Sequence, residues 1–194
     1  MTELAFFKEN SNFEVFGLQH LIVIFLSLVF AILLIRWAKK QPEDIQYRVG
    51  HYFAVSLAII VLIWTGIKIA LRGFDIHEDL PLHLCNVMAV LLPIVTYTRK
   101  RIYYEILFFW VLAGTSHAVI TPDLKNGFPN FIFFKYWLVH SGLIIFVFYS
   151  TLVYKLRPTL KSVFIAFLTL QIYIALMFIV NGITGANYFY TQGI

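Results

Sequence analysis

Cys85 is the single cysteine of the chain, and it stands three residues after Leu82 in the string Leu80-Pro81-Leu82-His83-Leu84-Cys85-Asn86. It is the one strong nucleophile near several histidines. The attacking form is the thiolate, so Cys85 needs a base or a positive field. His117 and His140 are candidate bases, and the first turns of a helix would add the positive end of its dipole. The competing reading is a small hydrophobe in an apolar helix. Thr65, Lys68 and Arg72 recur at helical spacing on one face. That face suits a lipid phosphate or a carboxylate, or two long side chains that snorkel to headgroups. His83, His117, His140 and Asp123 lack paired ligands on one helix, so no metal and no cofactor are expected.

These groups need elements to hold them, and composition names the class. The chain of 194 residues is 60% hydrophobic, 18% aromatic and 13% charged, with mean hydropathy +0.81. Its apolar surface suits lipid as solvent. The net charge of +5 comes from basic residues clustered in short loops. Topology explains that pattern, and no nucleic-acid partner is expected. A lone cysteine cannot form an internal disulfide. Residues 1–17 are polar and acidic, so the first apolar span is expected to act as an uncleaved insertion signal.

About 20 apolar residues cross a bilayer. The stretches Leu18–Ala38, Gly50–Leu71, Leu80–Thr98, Ile102–Thr121, Phe131–Tyr154 and Leu160–Val180 meet that length. All are expected as helices, because lone strands leave backbone groups unpaired in lipid. The fold class is all-α: one polytopic membrane domain over residues 1–194, with six transmembrane helices. Asp79 reads as an N-cap with Pro81 near the first helical position, starting the third span. Thr121-Pro122-Asp123 ends the fourth. Arg36, Lys39, Lys40, Arg48, Arg99, Lys100, Arg101, Lys155, Arg157 and Lys161 fall at alternate ends of the spans. Lys8, Arg72 and Lys125 lie on the other side, with Lys68 and Lys135 just inside it. Positive loops stay cytoplasmic. The N-terminus and C-terminus are therefore expected outside.

Depth then sorts the polar residues. His20, His77, His83, Cys85, Asn86, His117, His140, Asn181 and Asn187 all fall toward the outer half, and His51 toward the inner. Ionisable groups inside a membrane tend to mark a functional cavity. His20 and His77 read better as histidines tied at helix ends or headgroup level. His83, His117 and His140 read better as lining a pocket. By helical rise, Cys85 and His140 lie about 8 Å and about 13 Å below the outer surface. Gln171 reads as a bond to a neighbouring helix.

The strings LPLHLCN (Leu80–Asn86), ITPDL (Ile120–Leu124) and NGITGANY (Asn181–Tyr188), with His140 in span five, resemble the YwaF family of bacterial integral membrane proteins. The resemblance covers essentially the whole chain. That family is similar to the vertebrate transmembrane protein 164 family of phospholipid acyltransferases, and more distantly to the androgen-induced-gene membrane hydrolases. By motif, the resemblance implies that Cys85 is the nucleophile and His140 its base. It also implies a phospholipid or lysophospholipid as partner in the cell membrane of a bacterium. His83, Asn86 or Asn181 would steady the oxyanion, and Lys68 and Arg72 the phosphate. His117 and Asn187 would complete the pocket. Members usually carry a further Trp- and Pro-rich apolar segment after the NGITGANY region, which leaves one side of a six-span pocket open. The rival reading is a carrier or sensor for a small solute or lipid, with the histidines as a proton relay. No inverted repeat supports transport. A structural subunit is a lesser alternative.

Overall fold

The computed structural model describes residues 6–7 and 10–190, apart from the side chains of Leu71, Arg72 and Tyr190. Its regular structure is helical throughout the described residues. The helices are α1 Leu18–Ala38, α2 Glu43–Ile67, α3 Leu84–Thr98, α4 Arg101–Trp110, α5 Ser116–Ile120, α6 Phe131–Leu152 and α7 Leu160–Thr184. A π turn, Val111–Thr115, joins α4 to α5 in one 20-residue rod. A second π turn, Lys68–Arg72, extends α2. Five of these rods are long and apolar enough to cross a membrane, and α3 is apolar but shorter. This is a multi-pass membrane protein.

Packing makes α6 the axis. Half of its apolar window is buried, against 11% of α1. It touches α1, α2, α3 and the α4–α5 rod, while α3 lies along α2 and α4 along α7. Gly142 permits the closest approach: a Cβ there would lie 2.6 Å from Leu57 Cδ2 on α2. Leu57, Val61, Met88, Leu92, Val111, Leu143 and Phe146 fill the resulting core. The outward faces of α1 and α7 stay apolar, with Phe25, Leu33, Phe164 and Ile172 exposed. Lipid is the solvent that removes the penalty for such surfaces.

Local chemistry sets the ends. Asn130 caps α6 by accepting from the Ile132 N–H at 2.8 Å. Thr159 and Ser162 form a reciprocal capping box on α7. Ser162 also donates to the Glu105 carboxylate at 2.5 Å, and Arg101 holds that carboxylate's other oxygen. The bond ties α4 to α7. Gly185 ends α7 at φ +75, a conformation that costs glycine little.

Three boundaries depart most from the sequence expectation, and one is the end of α7, which runs on to Thr184 rather than stopping at Val180. Helix α2 starts at Glu43 rather than Gly50, because Glu43 and Asp44 suit a first turn and Arg48 pairs with Asp44 at 2.7 Å. Those polar turns fall below any apolar threshold. Helix α3 starts at Leu84 rather than Leu80, with His83 at its N-cap. Asp79 does not cap it, because its carboxylate pairs with Lys68 at 3.1 Å and accepts from the Asp75 N–H. The backbone between is satisfied from elsewhere. The Leu80 N–H donates to the Tyr188 hydroxyl at 3.1 Å, and the Tyr173 hydroxyl donates to the Leu82 carbonyl. Non-helical backbone at membrane depth needs such partners.

Candidate functional site

The unwound Leu80–His83 segment delivers the first turn of α3 into a hollow of about 530 Å³. This hollow lies at the bundle end opposite the basic loops after α1, α3 and α6. His83, Cys85 and Asn86 enter it from α3, His117 from α5, and Tyr136 and His140 from α6. Asp123 and Phe189 complete its rim. Three helices separated in sequence thus bring five of the expected pocket residues around one space.

Cys85 is half-buried, and its Sγ lies 3.5 Å from the Thr115 hydroxyl. Thr115 is fully buried at the end of the Val111–Thr115 π turn, where the Ser116 N–H donates five residues back to Val111. Such turns recur at functional sites because they re-aim one side chain within a continuous rod. His140 Nδ1 donates to the Tyr136 carbonyl at 2.7 Å. A carbonyl only accepts, so the ring proton sits on Nδ1 and Nε2 carries the basic lone pair. The Tyr136 ring packs on the imidazole at 4.1 Å between centroids and fixes its plane.

The other expected residues have different places. Asn181 is buried beyond the cavity, its amide clamping the Tyr188 backbone by two bonds of 2.9 Å. The NGITGANY string is therefore a structural latch: Asn181 holds Tyr188, whose hydroxyl donates to the Ile76 carbonyl at 2.6 Å. Asn187 lies within that latch and outside the cavity lining. Lys68 pairs with Asp79 and does not line the cavity. The Arg72 side chain and Lys8 lie outside the described residues. His20 is fully buried with both nitrogens engaged, accepting from the Phe16 N–H and donating to the Val119 carbonyl at 2.9 Å each. His77 pairs with Asp75 on the surface at 2.6 Å. Among the described residues, no three His, Cys, Asp or Glu side chains converge as metal ligands.

Sequence reasoning misses three lining or neighbouring groups, Lys135, Tyr136 and Thr115. Lys135 is the ammonium of this cavity, with no carboxylate at ion-pair distance among the described residues. At a span end it reads only as a topology marker. Its five-residue offset from His140, about 140° around α6, carries no shared-face signal. Thr115 carries no signal at all, since the π turn that aims it is invisible in the pattern.

A model of the TMEM164 family matches residues 15–193. The chain belongs to the TMEM164 family. The match takes in every helix that builds the cavity. Within reach of this TMEM164-family chain is an uncharacterized protein of Treponema pallidum (strain Nichols), 23% identical over 182 residues, 94% of this chain and 76% of that protein. No solved structure matches it.

Proposed function

We propose that this TMEM164-family protein is a membrane-embedded lipid acyltransferase or transacylase that works through Cys85. The observation carrying the reading is that Cys85 and His140 line one cavity while Tyr136 occupies His140 Nδ1. Nε2 is then the nitrogen that takes a proton. Cys85 Sγ attacks the ester carbonyl of a phospholipid, and His140 accepts the thiol proton. The ester C–O bond breaks, and that proton leaves with the lysolipid hydroxyl. A second lysolipid hydroxyl attacks the thioester, its proton returns through His140 to sulfur, and the new ester departs. Water in its place gives hydrolysis, so lipid-filled surroundings favour transfer.

Asn86 and His83 are the donors nearest Cys85 in sequence and serve the oxyanion. The phosphate role expected of Lys68 and Arg72 passes to Lys135. By helical rise it stands about 7.5 Å along α6 from His140, a separation suited to the glycerol between phosphate and ester. We place the cavity toward the outer leaflet, both termini outside and six crossings, on the distribution of basic loops. The broken third crossing supports that count. Fifteen helical residues give about 22 Å, and the bent, non-helical Leu80–His83 run continues the crossing beyond them.

The test uses purified protein in nanodiscs of phosphatidylglycerol with deuterated acyl chains and unlabelled lysophosphatidylglycerol. Cys85→Ser and His140→Gln should each lower label transfer at least about 100-fold with unchanged melting. Full transfer by Cys85→Ser would overturn the mechanism and favour the binding or transport reading.

A further inference from the structure

A second hollow, of about 330 Å³, runs between α4 and α7. Phe109 and Ala113 form one wall, Val163 and Phe167 the other. The indole N–H of Trp110, which also lines it, is already donated to the Ala166 carbonyl at 2.9 Å. Nothing polar on these side chains awaits a partner, so the space suits hydrocarbon.

Its position gives it a use. Leu84, Gly114 and Phe189 line both this hollow and the Cys85 cavity. Leu84 precedes Cys85, and Gly114 precedes Thr115, whose hydroxyl meets Cys85 Sγ. The shared wall is therefore one residue from Cys85 on α3 and one residue from its contact Thr115 on the π turn. We infer that the α4–α7 groove holds the acyl chain being transferred, threaded from Cys85 past Gly114. This rests on Cys85 being the acylated residue. The groove is open, since Ala113 and Gly114 are exposed to the surrounding lipid. Val163 to Leu170 spans about 10 Å of α7, against about 15 Å for one leaflet's hydrocarbon. The site thus grips the carboxyl half of the chain and leaves its methyl end in the bilayer. It selects by the shape of that half rather than by total length.

Gly114 is the position to perturb. A Cβ there meets only Leu84 Cδ2, at an ordinary 3.5 Å, so a larger side chain fills the passage without breaking the helix. Gly114→Leu should lower palmitoyl transfer from phosphatidylglycerol at least tenfold. Val163→Trp, at a residue that lines the groove but not the Cys85 cavity, should lower palmitoyl transfer likewise, while its acetylation at Cys85 by p-nitrophenyl acetate matches the unsubstituted protein. Palmitoyl transfer by Val163→Trp equal to that of the unsubstituted protein overturns the inference. If Gly114→Leu does not fold, Val163→Trp at the exposed far wall carries the comparison alone. A binding measurement stands apart from the chemistry: phosphatidylglycerol with a mid-chain diazirine should crosslink to residues 109–114 and 163–170, and Gly114→Leu should remove that labelling. Crosslinking that Gly114→Leu leaves unchanged overturns the groove even if Cys85 is acylated. Crosslinking as expected without acylation of Cys85 keeps the groove and defeats the mechanism.

Discussion

Replacing Tyr188 with phenylalanine should loosen the roof of the cavity while leaving the bundle below it in place. Tyr188 is fully buried. Its hydroxyl donates to the Ile76 carbonyl at 2.6 Å and accepts from the Leu80 N–H at 3.1 Å. Removing one oxygen breaks two hydrogen bonds, each worth about 1 kcal/mol. It also strands the half-buried Leu80 N–H, at a further cost of about 1–2 kcal/mol. The sum is about 3–4 kcal/mol, or a lowering of Tm by roughly 6–16 °C in a chain of this size. Thermal unfolding in detergent, followed by tryptophan fluorescence, reads this shift. Tyr97→Phe is the matched control, because Tyr97 is 81% exposed, and it should not move. Since Leu80–His83 leads into Cys85, hydrogen exchange should quicken across residues 76–86 in Tyr188→Phe, and less so in α2. A change under about 0.5 kcal/mol, or exchange that rises uniformly, would refute the latch.

Three further outcomes follow from the packing and the surface loop. Gly142→Val drives a methyl into Leu57 and should cost about 1–3 kcal/mol; adding Leu57→Ala should recover part of that loss, and strict additivity of the two melting shifts would contradict the contact. Ser162→Ala removes a donor from the buried Glu105 carboxylate and half of the α7 capping box; unfolding should show a loss of about 1–3 kcal/mol, and an unchanged melt would rule out the α4–α7 tie. The exposed Asp75 carboxylate accepts the His77 backbone N–H and pairs with its ring, which holds it below the usual carboxylate range. A depressed carboxylate stabilises the fold above its unfolded pKa of about 4 and ceases to as pH falls through the folded value. Followed below about pH 5, the stability gap between the unsubstituted protein and Asp75→Asn should therefore close as acid strengthens; a gap that widens in that window has the wrong sign.

Helix α1 is legible from end to end because every face is apolar and nothing else in its environment decides its limits. The start of α3 is not, although Asp79 and Pro81 form a good local signal. Lys68, eleven residues earlier, takes the Asp79 carboxylate, and Tyr173 from within α7 and Tyr188 from beyond it hold the backbone that the helix would have used. Tertiary bonds outweigh a cap worth about 1 kcal/mol. The cavity shows the same division. His83, Cys85, Asn86, His117 and His140 are legible as neighbours because a membrane turns sequence position into depth. Whether a side chain at that depth faces inward or serves as a latch depends on contacts that spacing does not encode. Asn181 and Lys135 exchange roles for that reason: a strong motif residue holds the roof, and an ordinary-looking lysine enters the cavity.

The central claim is that Cys85 carries the acyl group, and the direct measurement is mass spectrometry of the protein after brief incubation with dipalmitoyl phosphatidylglycerol. A palmitoyl adduct on the Cys85 peptide should form, release with hydroxylamine, and pass to added lysophosphatidylglycerol at the rate of turnover. Turnover with no adduct on Cys85, or an adduct that the lysolipid never removes, would contradict it.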